Sequence, residues 1–334
     1  MPTDEHFKAG QDSSTTEVLR RLAKKTMLTF AIPPDKEHLF SPLMQAIARL
    51  SAPFNEIGIA LRANIDGLIS TVSVPYTLAN RSATDRHWQR IHSAERIRSL
   101  MLDAGSNETQ VELESRRQRE ARSVAESEME RFVRSPEGRD ALIRDTLGFL
   151  ENLRSDEAVL RAANELILQG VVLCWGAFEV LARDCFIAHL NAKPSRTLIL
   201  LGDPVAKRRF ELSKVSLETL ATHNFDLSER MGTLLAQQQD LSDVYSVKSV
   251  YQALFPDDKR LSDALSESDL RLLSLRRNLI VHQCGVIDEM YAAATNCCQH
   301  VGERLKLSPN ELERHLGTTV QMATAILDAV SAGT

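Results

Sequence analysis

The chain of 334 residues carries a formal net charge of −5 and has a pI near 6.0. This balance excludes a general attraction to nucleic acids or acidic membranes, so a nucleic-acid site would have to be a local basic patch. Aromatic residues make up 5% of the chain, which also holds only 14 glycines and 11 prolines; this composition favours an all-α fold over a β-rich one. The five cysteines are odd in number, which indicates a reducing, cytoplasmic compartment.

The part of the chain up to residue 135 is predicted to be a polar tail followed by a helical region. Residues 1–16 are polar and are expected to be disordered, and residues 17–135 are expected to be helical. Within them, residues 63–82 contain β-branched side chains and a glycine, so the prediction for this segment includes a short strand or an irregular turn as alternatives to a helix. Residues 108–133 are rich in Glu and Arg, which predicts a solvated helix held by ion pairs one turn apart.

The remaining residues, 136–334, are predicted to form one helical bundle. A helix is predicted over residues 154–190, and its apolar side chains lie on nearly every face from Leu166 to Leu190, which marks a central buried helix. Gln169 and Glu179 interrupt this apolar run, so it is not expected to span a membrane, and residues 1–20 lack the apolar core of a signal peptide. Further helices are predicted over 136–153, in short pieces over 195–260, over 268–282, and from a capping box formed by Ser308, Pro309 and Glu311.

One stretch, SLRRNLIVHQCG at residues 274–285, places polar side chains in an otherwise apolar helical run. Leu279 and Ile280 direct one side of this helix into the core, whereas Asn278 and His282 are four residues apart and share another face. Arg277 can bend toward the same space because its side chain is long. Burying such groups without partners would cost several kcal/mol. They are therefore either paired internally or they line a site, since the Arg–His spacing alone is expected by chance.

The segment Arg277-Asn278-Leu279-Ile280-Val281-His282, followed by Gly285 and Asp288, resembles the Arg-Asn-x-x-x-His signature of the HEPN ribonuclease family. The upstream stretch LCWGAFEVLARDCFIAHL resembles the second long helix of that fold. The resemblance covers residues 155–332, just over half of the chain, and residues 1–135 match no family that we can name. It implies an HEPN-like helical bundle over 136–334.

The resemblance also implies a metal-independent endoribonuclease without a cofactor, which works as a homodimer with two Arg/His sets in one composite site. The RNA 2′-hydroxyl would attack the adjacent phosphate and leave a 2′,3′-cyclic phosphate, so DNA would be spared. His282 would act as general base or acid, because imidazole titrates near neutral pH. Arg277 would bind the scissile phosphate, and Asn278 would orient His282 or contact the phosphate.

Three more polar residues are candidates for supporting this site: Glu179, Arg276 and Asp288. Glu179 can position Arg277 or His282. An ion pair with Arg183, one turn away on the same helix, explains Glu179 equally well.

Two other clusters carry weaker signals. A basic cluster can contact RNA phosphates, although a solvated loop explains the same residues: Lys207, Arg208 and Arg209. A second segment contains Cys297, Cys298 and His300, but adjacent cysteines rarely bind one metal ion well and no second pair completes a site, so no metal is expected. Cys284 lacks the context of a catalytic thiol.

The sequence leaves two functions open. The first is an RNA-cleaving bacterial toxin or anti-phage defence effector, restrained by its N-terminal region, an antitoxin or another regulatory partner. The second is a non-catalytic interaction module, in which Arg277 pairs with Glu179 or Asp288 and the charged helix over 108–133 binds the partner.

Overall fold

The computed structural model describes residues 29–102, 109–209, 216–238 and 241–332. Within these ranges the chain is helical and contains no strand, so the predicted all-α class is confirmed. Within the described residues, one isolated antiparallel β-bridge joins Val286 to Arg304. The tail predicted to be disordered, residues 1–16, lies outside the described residues.

The described residues form fifteen α-helices, which we number in chain order. They are α1 Lys36–Ile47, α2 Phe54–Val72, α3 Val74–Leu102, α4 Gln110–Arg134, α5 Pro136–Leu153, α6 Glu157–Ala192, α7 Thr197–Gly202, α8 Pro204–Arg209, α9 Leu217–Thr222, α10 Met231–Gln238, α11 Val244–Leu254, α12 Lys259–Ala264, α13 Ser268–Gln283, α14 Glu289–Thr295 and α15 Pro309–Ala332. A 3₁₀ turn, Pro194–Arg196, precedes α7.

The chain divides into two compact units, and neither is continuous in sequence. Unit 1 comprises residues up to 32 together with 73–163, and unit 2 comprises 33–72 together with 164–334. This division differs from the boundary predicted after residue 135. The reason is that α1 and α2 bury apolar faces within unit 2, whereas α3, α4 and α5 pack within unit 1.

Unit 1 is built on a small apolar core and a charged helix. Phe30, Ala79, Leu150 and Ala163 pack together in this core. Helix α4 buries Ala121, Ala125 and Met129, and it begins with a capping box between Thr109 and Glu112. Its outer face carries ion pairs one turn apart, including Arg116–Glu120, Arg122–Glu126 and Glu130–Arg134. The solvated, ion-paired helix predicted over 108–133 therefore forms, each pair adding about 0.3–0.5 kcal/mol.

Unit 2 is centred on α6 and α15. On α6, Leu168, Trp175 and Phe178 are almost completely buried, as expected for a central helix. Helix α15 starts at the predicted capping box, where the Glu311 carboxylate accepts hydrogen bonds from the Ser308 backbone N–H and hydroxyl, each at 2.9 Å.

Helix α6 is the single unbroken helix, within the described ranges, that is long and apolar enough to cross a membrane. In the fold, 56% of its most apolar window is buried. A core helix of a globular fold shows the same combination of length, apolarity and burial.

The short strand left open for residues 63–82 is wrong, whereas the turn is present, at Ser73. Helix α2 continues to Val72 and α3 begins at Val74. Ile65, Leu68 and Ile69 recur at helical spacing and are buried on one face, and this burial outweighs the weak β-propensity of the segment.

Candidate functional site

Helix α13 separates a buried face from a polar end. Leu270, Leu273 and Leu279 are buried, which fixes the rotation of the helix. The helix ends at Cys284, which is in the left-handed conformation (φ 52), and Gly285 follows with φ 72. The Gly285 N–H donates to the Leu279 carbonyl at 3.0 Å, a bond that closes the helix end. The chain therefore turns away at Cys284, two residues after His282.

The three residues predicted to be catalytic lie at this end of α13, at the solvent surface. Asn278 and His282 are exposed and Arg277 is half-buried. The Arg277 guanidinium donates from Nη1 to Asn278 Oδ1 at 2.9 Å. Val281, which lies between Asn278 and His282 in sequence, is also 46% exposed. We call Arg277, Asn278 and His282 the α13 trio. Because the trio faces solvent, its polar groups avoid the cost of burial and can meet a ligand.

Arg276, the residue next to Arg277, has the opposite environment and is buried. Its Nη2 donates to Glu311 Oε1 at 2.5 Å and its Nη1 donates to His315 Nε2 at 2.8 Å. Its Nε donates to the Tyr291 hydroxyl at 3.4 Å. Arg276 thus connects α13 to α14 and α15, and it holds the helix that carries the α13 trio.

The cluster combines the Arg276 cation with the Glu311 anion and the neutral His315 ring. Burial, and then the Arg276 charge, lowers the pKa of His315 to about 3, so the imidazole is neutral. Arginine can only donate, so His315 Nε2 accepts and the ring proton is on Nδ1. Burial pushes the pKa of Glu311 upward, but hydrogen bonds from Ser308 together with Arg276 outweigh it and leave that pKa lowered.

The other two supporting candidates have contacts of their own. Glu179 accepts a hydrogen bond from Trp175 Nε1 at 3.0 Å. The Arg183 guanidinium, predicted as an alternative partner of Glu179, lies 3.4 Å from Asp184. Asp288 caps α14, accepting from the Tyr291 N–H at 2.6 Å. Asp288 therefore positions the helix from which Tyr291 contacts Arg276.

The basic cluster lies on α8, a six-residue helix. Asp203 caps its first turn by accepting from the backbone N–H groups of Val205 and Ala206 at 2.9 and 2.8 Å. Lys207 and Arg208 are exposed. Arg209 is the last residue of the helix, and its side chain is outside the described part of the structure.

The cysteines are free thiols in two environments. Cys174 and Cys185 are buried, and burial raises the pKa of the Cys174 thiol to about 12 and raises that of Cys185 as well. Cys284 and Cys298 are exposed, and Cys297 is half-buried. Among the residues that the structure describes, no group of three or more His, Cys, Asp or Glu side chains could hold a metal ion.

No family model, curated protein or solved structure matches this chain. The geometry of the site adds one feature that was not predicted, the cluster of Arg276, Glu311, His315 and Tyr291. A signal for it exists in the sequence, because Glu311 and His315 are four residues apart and share a face of the helix with the apolar Leu312.

Proposed function

We propose that this protein is a metal-independent endoribonuclease of the HEPN type and that the α13 trio is its active site. The observation that carries the proposal is that two neighbouring arginines have different environments. Arg276 is buried with partners on two other helices, whereas Arg277 reaches the surface beside Asn278. A structural arginine thus supports a helix end that presents a guanidinium, an amide and an imidazole to solvent.

The chemistry of RNA cleavage fits these groups. The 2′-hydroxyl oxygen forms a bond to phosphorus, the bond from phosphorus to the 5′-oxygen breaks, and a 2′,3′-cyclic phosphate and a 5′-hydroxyl result. His282 takes the proton of the 2′-hydroxyl or gives one to the leaving oxygen. Arg277 binds the non-bridging phosphate oxygens and offsets the charge that develops on them. Asn278 accepts from Arg277, so its amide nitrogen is available to the phosphate.

A homodimer supplies the second proton-transfer group in this proposal. Base and acid act on opposite sides of the phosphorus, and one imidazole cannot occupy both places in one step. A second copy of the chain would bring a second His282. Val281 and Val286, which are 46% and 40% exposed, offer apolar surface near the end of α13 for such a contact.

The biological role that we propose is that of a cytoplasmic toxin or anti-phage defence effector. An RNA-cleaving enzyme that uses no metal or cofactor is always competent, so the cell needs a means to restrain it. Unit 1, an antitoxin or another regulatory partner would provide that restraint.

The test is cleavage of RNA by purified protein in the presence of EDTA, comparing wild type with Arg277→Ala and His282→Ala. We expect each variant to lose at least about 100-fold in rate, the range for removal of a general acid–base or phosphate-binding group. The product of the wild type should carry a 2′,3′-cyclic phosphate by mass spectrometry, and an RNA with 2′-deoxy substitutions should stay intact.

Two matched controls make the result specific. Arg271→Ala removes an exposed arginine from the same helix, and His300→Ala removes an exposed histidine outside the trio. Both should cleave like wild type. Intact RNA with every protein, at concentrations that span the dimerisation equilibrium, would contradict the proposal; so would equal losses in the trio and control variants.

A non-catalytic interaction module is the second candidate, and one observation favours it. His282 makes no side-chain hydrogen bond with any described residue, whereas catalytic histidines are commonly oriented by a partner. In this case the ion-paired face of α4 would bind the partner. Replacing Arg122 and Arg131 by Glu should then abolish partner capture from the native host, whereas His282→Ala should leave it unchanged.

A further inference from the structure

A groove on unit 1 concentrates arginine side chains that nothing in the site above uses. It is a cavity of about 690 Å³ between α3 and α5. Its wall on α3 carries Arg81, Arg86 and Arg90 on successive turns, and Asp145 faces them from α5. We call it the arginine groove.

The acidic side of the groove is already compensated. Asp145 Oδ2 lies 2.9 Å from His87 Nε2 and 3.7 Å from Arg90. His87 itself is stacked on Phe132, with ring centroids 4.8 Å apart. Asp145 therefore joins α5 to α3 through His87 and Arg90, and Arg90 is its counter-ion.

The remaining two arginines have no counter-ion among the described residues. Arg81 is exposed and makes neither a hydrogen bond nor an ion pair there. Arg86 is also exposed, and its guanidinium carbon lies 6.0 Å from the centroid of the Phe149 ring. Asp85 lies one turn after Arg81 but is not within ion-pair distance of it.

Arginines on α4, in contrast, pair with carboxylates one turn away. On α4, Arg122 lies 2.8 Å from Glu126 and Arg134 lies 2.6 Å from Glu130. Residues 73–163 contain 15 arginines and no lysine, so the guanidinium group is the side-chain cation of this segment apart from histidine. Among the described residues, the groove thus brings together two guanidinium groups that lack a carboxylate partner.

We propose that the arginine groove binds the phosphodiester backbone of a single nucleic-acid strand. The identity of that strand as the RNA substrate rests on the function proposed above. A guanidinium presents paired N–H donors that match two phosphate oxygens. Arg81 and Arg86 are five residues apart, about 7.5 Å along the helix axis, so they can bind different phosphates of one strand. Leu78, which is 59% exposed at the same wall, supplies apolar contact for a base or ribose.

The experiment measures binding without cleavage. Fluorescence anisotropy of a labelled single-stranded DNA 20-mer, and of the same sequence in 2′-O-methyl RNA, reports affinity for strands that lack an attacking 2′-hydroxyl. The full chain is compared with Arg81→Gln/Arg86→Gln. We expect about tenfold weaker binding at moderate salt. The slope of log K against log salt should shrink by about 1.4, which corresponds to two lost contacts at roughly 0.7 each.

Two further variants decide between this site and general charge. Arg122→Gln/Arg134→Gln removes two arginines from α4, where they are paired, and should bind like wild type. Asp85→Asn removes the anion beside Arg81 and should bind more tightly. Wild-type affinity in Arg81→Gln/Arg86→Gln, an equal loss in the α4 variant, or unchanged or weaker binding in Asp85→Asn would each overturn the proposal.

This outcome is separable from the fate of the proposed nuclease. The probes cannot be cleaved by 2′-hydroxyl attack, so binding in the groove is read independently of the α13 trio. If Arg81→Gln/Arg86→Gln binds normally while His282→Ala stops cleavage, the groove proposal fails and the nuclease stands. If the groove variant loses binding while wild type leaves RNA intact, the nuclease fails and the groove stands.

Discussion

At the scale of single residues, the adjacent arginines of α13 show how one helix carries both a structural and a chemical group. Arg276 donates to the neutral His315 ring and to the Glu311 carboxylate. Removing either partner would leave a buried polar group unpaired, which is costly. Arg277, about 100° further around the helix, escapes this network and bonds to Asn278.

His315 makes the stability of the fold sensitive to acid. Its pKa is lowered to about 3, chiefly by burial, whereas histidine in an unfolded chain titrates near 6.5. Between these values the unfolded chain binds more protons than the folded one, so the free energy of unfolding falls as the pH falls. We expect His315 to contribute about 1.4 kcal/mol per pH unit between pH 6 and pH 4.

The variant His315→Gln isolates this contribution in urea unfolding measurements. Glutamine offers Arg276 an acceptor but does not titrate. Wild type should lose stability more steeply with acid than the variant, by about 1.4 kcal/mol per pH unit. Burial also lowers the pKa of His189, to about 4, but this residue is present in both proteins and its effect cancels. Parallel curves would contradict the prediction.

The sequence predicted part of this site and could not predict the rest. The apolar periodicity of 268–282 correctly gave a helix with Leu279 in the core and with Arg277, Asn278 and His282 at its end. It could not decide which of the two arginines is buried. That choice depends on Glu311 and His315, which are 35 and 39 residues away in sequence.

At the scale of elements, α2 contrasts two glycines that look alike in the sequence. A Cβ on Gly58 would lie 2.6 Å from Ile47 Cγ1 on α1 and 3.2 Å from Leu327 Cδ1 on α15. A Cβ on Gly67 would meet nothing within 4 Å. Gly58 is therefore required by close helix packing, and Gly67 is not.

We expect opposite effects from the same substitution at these positions. Gly67→Ala should raise the free energy of unfolding by about 0.5–1 kcal/mol, because alanine has the higher helix propensity. Gly58→Ala should lower it by about 1–3 kcal/mol, because the added methyl group overpacks the contact with Ile47. Thermal and urea unfolding of both variants measures the difference. Equal shifts of the same sign would show that α1 and α2 are not packed as described.

At the scale of the whole molecule, the two interleaved units explain why a linear reading placed the boundary elsewhere. The segment SPEG at 135–138 marks the start of α5, and it connects α4 to α5 within unit 1 rather than separating two domains. The C-terminal helices instead share unit 2 with α1 and α2, which precede residues 73–163 in sequence. Contacts between segments so far apart leave no local signal in one sequence.

The division predicts which piece of the chain folds alone. Residues 136–334, the domain expected from sequence, lack α1 and α2, whose buried Leu43, Leu61 and Ile65 belong to the core of unit 2. We expect that fragment to unfold without a cooperative transition. Residues 33–72 joined to 164–334 should instead unfold cooperatively in a thermal scan followed by circular dichroism.

A short linker is enough for this joined chain. A Cβ on Gly170 would lie 2.9 Å from Val72 Cγ1, so α2 ends beside α6. Gly170 is six residues, or about 9 Å, along the helix from Asn164. A Gly/Ser linker of about six residues, with an extended reach near 20 Å, spans this gap. A cooperative transition for 136–334 together with none for the joined chain would show that α1 and α2 do not belong to this unit. If the joined chain folds, it also allows the α13 trio to be assayed without the arginine groove.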